Sequence, residues 1–201
     1  VYLSMFGFYQ SAGLAVLNAL ARLGHYQYQE IHFGSATTER IDWYQVDEKA
    51  PTVIFYYGGN WRSYRKEDYR FVADTLCSMG VNVAIPDFFK YPEHRFSAIL
   101  DSVVSATNHL MDQVCPEGPV IMMGHSSGAQ MAALVTLNAA LLDTPERITA
   151  MVGLSGPYDF YPFTDEDHWD LFGPEDHYRL SQPVNFVRAD APELYLLHGK
   201  H

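Results

Sequence analysis

The feature that most constrains this chain is a rhythm of short apolar runs and helical stretches from Thr52 onward. "TVIFYY", residues 52–57, is an unbroken β-branched and aromatic run that stops at Gly58-Gly59. A strand with no polar alternation suits burial on both faces, as in a parallel sheet. A helical pattern from Tyr69 to Met79 follows, with Gly80 placed as its C-cap. "VNVAIP", "PVIMMG", "ITAMVGLSG" and "ELYLLHG" read as further strands. Between them lie predicted helices over Ser97 to Val114 and Ser127 to Leu142. Repeated β-α alternation predicts an α/β fold with a mostly parallel central sheet and helices on both faces.

Before that rhythm the pattern differs. Leu14, Leu17 and Leu20, with Val16 and Leu23, form a helical stripe between residue 10 and about residue 24. Tyr28 to Phe33 and Ile41 to Val46 read as two strands joined by polar "GSATTER", and they are expected to pair antiparallel. After "ITAMVGLSG" the segment from Tyr158 to Pro192 is too long for a plain connection. It is aromatic and acidic. It reads either as a cap-like excursion over the carboxyl edge of the sheet or as surface helices without a role. Thr164-Asp165-Glu166-Asp167 suits a helix N-terminus, where acids meet the positive dipole end. Residues 1–201 are read as one domain, an expected size for one core.

A net charge of −11 argues against a nucleic-acid backbone or an anionic membrane surface as partner. No apolar run is long enough for a membrane span. Two cysteines, Cys77 and Cys115, are too few for a disulfide scaffold and could pair or stay free. The chain begins at Val1, so processing or trimming is expected. Compartment and oligomeric state leave no mark on the composition.

The candidate chemistry lies in Gly124-His125-Ser126-Ser127-Gly128. A serine hydroxyl becomes a useful nucleophile when it is raised from the surface beside a base. A sharp strand-to-helix turn raises it, and small residues two before and two after relieve the crowding. Gly124 and Gly128 fill those positions, "PVIMM" supplies the strand and "AQMAALVTLNAALL" the helix. Ser126 would then sit at a helix N-terminus, which favours negative charge. The plain alternative is a serine N-cap packed close on glycines; the strand and helix favour the nucleophile. His125 diverges from Ser126 on such a turn and is taken as pocket wall or packing. "YYGGNW", residues 56–61, could turn backbone N–H groups toward an oxyanion, with Gly59, Asn60 and Ser127 as the donors. Alone, Gly58-Gly59 could be merely a tight turn.

Together these segments resemble the α/β-hydrolase superfamily. The chain looks most like bacterial carboxylesterases and lipases related to the hormone-sensitive-lipase and arylformamidase families. "YYGGNW" resembles the HGGxW oxyanion loop, with Tyr57 in place of the His; Tyr57 is expected to stack or hydrogen bond in its stead. "IPDFFKYPEHRFSAILD" resembles the family's P-D-Y-R-L-x-P-E stretch, reaches Asp101 on the next helix and carries Ser97 at a frequent Pro. "GHSSG" resembles the nucleophile elbow, and "LLHG" the strand before the catalytic acid.

The resemblance implies a serine carboxylic-ester hydrolase that needs no cofactor or metal and acts on a small-molecule ester through an acyl-enzyme on Ser126. An N-formyl aryl amide is the nearest variant substrate, with Trp61, Tyr158 and Phe160 as aromatic pocket residues. Gly58 and His125 are further pocket candidates, and a small pocket is expected. The implied order is Ser, then acid, then His. It places both partners past Gly199, so these 201 residues are expected to form the fold without its final strand and helix. The rival from another class is a non-catalytic hydrolase-like domain that binds a ligand. Asp159 sits where some such folds carry the acid but is read as capping a turn. His168 and His177 are read as surface or lid residues, His198 as structural, His201 as terminal. Asp165, Asp167, His168 and His177 lack metal-ligand spacing.

Overall fold

The computed structural model describes residues 12–20, 26–115 and 117–199. Seven strands form one sheet: β1 (Gln29–His32), β2 (Arg40–Tyr44), β3 (Thr52–Tyr56), β4 (Asn82–Pro86), β5 (Val120–His125), β6 (Ile148–Leu154) and β7 (Glu193–Leu197). Their order across the sheet is β1-β2-β4-β3-β5-β6-β7. β2 runs antiparallel to both neighbours, and every pairing from β4 to β7 is parallel. The antiparallel pair and the mostly parallel sheet expected from the sequence are both present.

Helical residues 12–20 (α1) precede the sheet. The ends of the expected 10–24 stripe, including Leu23, lie outside the described residues. The helix after β3 starts earlier than its periodicity suggests. A 3₁₀ turn over Lys66–Tyr69 leads into α2 (Arg70–Cys77). Gly80 closes it at φ +82°, with its N–H on the Cys77 carbonyl at 2.9 Å. The α3 helix (Phe96–His109) passes into a π-type turn over Leu110–Val114, so the predicted single helix has two geometries. The α4 helix (Ser127–Leu137) ends at Asn138, short of Leu142, and Ala139–Leu141 continues as a 3₁₀ turn. All eleven α4 residues are buried. An Ala- and Leu-rich helix that is apolar all round has to be enclosed.

The pleat sends successive β3 side chains to opposite faces. Tyr56 donates its hydroxyl to the Val103 carbonyl of α3 at 2.9 Å. Phe55 on the other face meets the Tyr69 ring at 5.8 Å, beside α2. Helices therefore cover both faces. Burial falls off toward the edge: β3 and β4 are fully buried, whereas Tyr195 of β7 is 52% exposed. Cys77 and Cys115 are buried free thiols.

The segment after β6 holds α5 (Glu166–Phe172) and α6 (Glu175–Tyr178), then 3₁₀ turns over Arg179–Ser181 and Pro183–Phe186. Asp165 caps α5, accepting the Asp167 N–H at 2.8 Å, as the acidic run suggests. Phe160, Phe163 and Phe172 cluster here, with ring centroids 5.1–5.8 Å apart. Two ion pairs at 2.8 Å fasten the segment to the loops at the strand ends, Arg62 with Asp167 and Arg95 with Asp170.

Candidate active site

The elbow between β5 and α4 is built by steric necessity. Ser126 sits at φ +53°, ψ −124° and is the N-cap of α4. Such a conformation costs a non-glycine residue about 1–3 kcal/mol and persists only where its surroundings enforce it. They do so here by close packing. A Cβ on Gly124 would meet the Gly128 carbonyl oxygen at 2.4 Å, and one on Gly128 would meet the Tyr56 carbonyl oxygen at 2.0 Å. The Ser126 N–H is held by the Leu154 carbonyl of β6 at 2.8 Å. A Gly128→Ala variant is expected to unfold earlier in urea, by about 1–3 kcal/mol, because the added methyl overpacks against backbone that cannot yield.

The loop after β3 lies against this elbow. A Cβ on Gly58 would sit 3.0 Å from the Ser126 Cβ, so only glycine lets the two segments approach. Gly59 has φ +131°, and Asn60 and Trp61 follow at +56° and +58°. The Gly59 carbonyl accepts the N–H groups of Arg62 and Ser63, which closes the loop on itself. Among the described residues, the N–H groups of Gly59, Asn60 and Ser127 donate to no acceptor. The Trp61 N–H is directed at the Ser127 Oγ, 3.4 Å away.

Tyr57 takes the place of the expected histidine and both stacks and hydrogen bonds. Its ring lies on Phe88 at 4.7 Å and on Tyr69 at 5.5 Å. Its hydroxyl donates to Asp87 of "IPDFF". Burial first, then the Asp87 charge, pushes the Tyr57 phenol well above its ordinary value, so it stays a neutral donor.

A cavity of about 690 Å³ opens at the carboxyl ends of β3, β5 and β6. Ser126, His125, Gly59 and Asn60, with Ser63, Tyr64 and Tyr69, supply its polar groups, and Leu14, Leu17, Phe55, Phe71, Val72, Met123 and Leu154 its apolar walls. Leu14 and Leu17 of α1 and Phe71 and Val72 of α2 supply one wall. Burial holds the His125 imidazole below its usual value, so the ring is neutral near pH 7.

The aromatic residues expected at the pocket are placed differently. Trp61 is buried, stacked on Phe160 at 5.9 Å and edge-on to Phe172 at 4.9 Å. Its indole N–H donates to Gln130 Oε1 at 3.0 Å, which turns the ring toward the 158–192 segment. Tyr158 packs its hydroxyl over Gly153 and Gly156. Neither ring is among the described residues that line the cavity. Asp101 and Asp159 are exposed. His168 meets the Trp61 ring edge-on at 6.2 Å, and His177 is exposed. His198 follows β7, and His201 lies outside the described residues. Asp167 is taken up by Arg62.

Comparison with known proteins gives the family. A family model described as the alpha/beta hydrolase fold matches residues 53–185. The chain belongs to the α/β-hydrolase fold family. The α/β-hydrolase is 26% identical to a kynurenine formamidase of Danio rerio over 66% of this chain and 47% of that one. It is 25% identical to an isoprenylcysteine alpha-carbonyl methylesterase of Arabidopsis thaliana over 85% of this chain and 48% of that one. It thus spans about half the length of the curated relatives it matches. Among solved structures, a Pyrobaculum calidifontis esterase aligns with a TM-score of 0.77 at 18% identity, covering 92% of this chain and 70% of that one. Esterase B from Lactobacillus rhamnosis aligns at 0.72 and 17%, covering 96% and 74%. At such identity these structures speak to the fold of this α/β-hydrolase.

Gln130 joins the surroundings of the site only in the structure, through its hydrogen bond with Trp61. A polar amide four residues after the serine, in a helix otherwise made of small and apolar residues and Thr136, was the available signal. The buried pair of Asp42 and Lys66 also emerged only in the structure: Asp42 alternates with Ile41 and Trp43 as an outward-facing strand residue would, and Lys66 stands in polar "RKED".

Proposed function

We propose that this α/β-hydrolase is a serine hydrolase of carboxylic esters, with Ser126 as the nucleophile. One observation carries the reading. Ser126, held at a left-handed turn, faces a cavity beside N–H groups of Gly59, Asn60 and Ser127 that no described residue occupies. Ser126 Oγ attacks the ester carbonyl, its proton passes to a histidine, and the tetrahedral oxyanion takes hydrogen bonds from those amides. The alcohol leaves with the proton, and water then frees the acid and restores the serine. By the resemblance, the histidine and its orienting acid follow Gly199, and the reading needs both. The 158–192 segment, tied by Arg62 and Arg95, is proposed as a cap over the strand ends of a single domain.

The kynurenine formamidase likeness favours a second substrate, an N-formyl aryl amide attacked by the same serine. A panel of p-nitrophenyl esters beside N-formylkynurenine separates the two by kcat/KM. A fluorophosphonate probe tests the nucleophile itself. One equivalent is expected on the peptide carrying Ser126, read by mass spectrometry. Absence of label on folded, full-length protein would overturn the reading and favour a ligand-binding domain.

A further inference from the structure

We infer that Gln130 is a positioning residue that holds the oxyanion loop in place from beneath and couples it to the 158–192 segment. The inference rests on the proposed role of Gly59 and Asn60. Gln130 is completely buried in α4, and its backbone N–H reaches the Ser126 carbonyl at 3.2 Å. Its side chain bridges two elements remote in sequence. Oε1 accepts the Trp61 indole N–H at 3.0 Å, and Nε2 donates to the Ser181 carbonyl at 2.7 Å. The orientation is chemically forced, since an indole N–H only donates and a carbonyl only accepts. Gln182, next in the chain, donates to Ser181 Oγ and accepts the Phe160 N–H, both at 2.8 Å. Phe160 in turn stacks on Trp61. The bridge therefore closes into a ring of contacts around the indole.

The loop needs such a hold. Asn60 and Trp61 are consecutive left-handed residues without glycine's freedom, and Trp is among the side chains least suited to that region. Three contacts fix the second of them: the Tyr91 N–H on the Trp61 carbonyl at 2.9 Å, the Trp61 N–H toward Ser127 Oγ, and the Gln130 bridge. Of these three hydrogen bonds, the Gln130 contact holds the side chain, whose ring also packs on Phe160 and Phe172. It arises from the same helix whose N-terminus carries Ser126, so one rigid element sets both the nucleophile and the donors opposite it.

The test uses the full-length protein with Gln130→Met, Gln130→Glu, Trp61→Phe and the double variant Gln130→Met/Trp61→Phe. Gln130→Met keeps shape and removes both hydrogen bonds. It is expected to lower kcat on p-nitrophenyl acetate roughly 10- to 100-fold, the scale of a small misplacement of catalytic groups. KM should change little, because the loss falls in the transition state. The double variant should be no slower than the worse single one. In ¹H–¹⁵N spectra the Trp61 indole resonance should move and exchange faster in Gln130→Met; Gln130→Glu keeps an acceptor for the indole but sets a carboxylate against the Ser181 carbonyl, so its indole should stay slow to exchange while its resonance moves.

An unchanged indole resonance and kcat in Gln130→Met would overturn the inference, as would a rise in KM alone. If Gln130→Met does not fold, Trp61→Phe decides: a roughly 10- to 100-fold fall in kcat at an unchanged KM supports the assignment, and any other result overturns it. If wild type turns over no ester, the functional reading fails, and the indole resonances alone decide the positioning claim.

Discussion

Ser126→Ala is expected to lower ester hydrolysis by a factor on the order of 10⁴ to 10⁶ while leaving the fold intact. The size follows from what the side chain supplies. On the proposed mechanism, without Oγ no acyl-enzyme forms, and the amides of Gly59, Asn60 and Ser127 would only assist direct attack by water. The fold should survive because alanine keeps the Cβ and removes an oxygen that makes no hydrogen bond among the described residues. The backbone at φ +53° is enforced by Gly124, Gly128 and the Leu154 carbonyl, not by the hydroxyl. The measurement is kcat/KM on p-nitrophenyl acetate, beside a urea unfolding curve. Activity within tenfold of wild type, in a variant with an unchanged midpoint, would remove Ser126 from the mechanism.

Asp42→Ala is expected to cost about 3–5 kcal/mol of stability, the range for removing one partner of a buried ion pair. Asp42 on β2 is fully buried, and Lys66 beside it is 2% exposed. Lys66 Nζ donates to Asp42 Oδ1 and to Glu30 Oε2 of β1, the latter at 2.8 Å. The second Asp42 oxygen takes Arg70 Nε of α2 at 2.8 Å. Burial works against the Lys66 charge, but its hydrogen bonds to Asp42 and Glu30 outweigh it and raise the ammonium above its ordinary value. Alanine would leave that ammonium in a dry site with one fewer anion. The companion Asp42→Leu/Lys66→Met is expected to recover much of the loss, since apolar replacement of a whole buried pair is often neutral. Urea midpoints of the two variants decide it. Equal losses in both would mean that β1 and β2 are fastened to α2 chiefly by packing.

The parallel core was legible because burial on both faces leaves one kind of residue available. "TVIFYY" and "VNVAIP" lack a sustained polar alternation, and β3 and β4 are accordingly buried throughout; Asn82, the polar exception in β4, accepts the Val46 N–H and donates to the Asp47 carbonyl. The elbow was legible for a related reason: its constraint is local. The Gly128 carbonyl oxygen, 2.4 Å from a would-be Cβ, demands glycine at 124, and that demand is written four residues away. Helix ends were less legible. The π-type turn after His109 and the early stop at Asn138 depend on what the helices pack against, and periodicity extends past both.

Within the candidate site, the sequence by itself determined the nucleophile turn, the glycine loop opposite it and the order in which they meet the sheet. Those are features of backbone geometry, which a few neighbouring residues encode. Only the tertiary structure decided where side chains go. It turned Trp61 away from the cavity and onto Gln130, seated Tyr57 on Asp87, and made a wall from Leu14 and Leu17. It also brought Asp42 to Lys66 across 24 residues. Each of these is a contact between segments distant in the chain. A buried donor takes whichever acceptor the packing brings within reach, and no pattern local to either residue records which one that is.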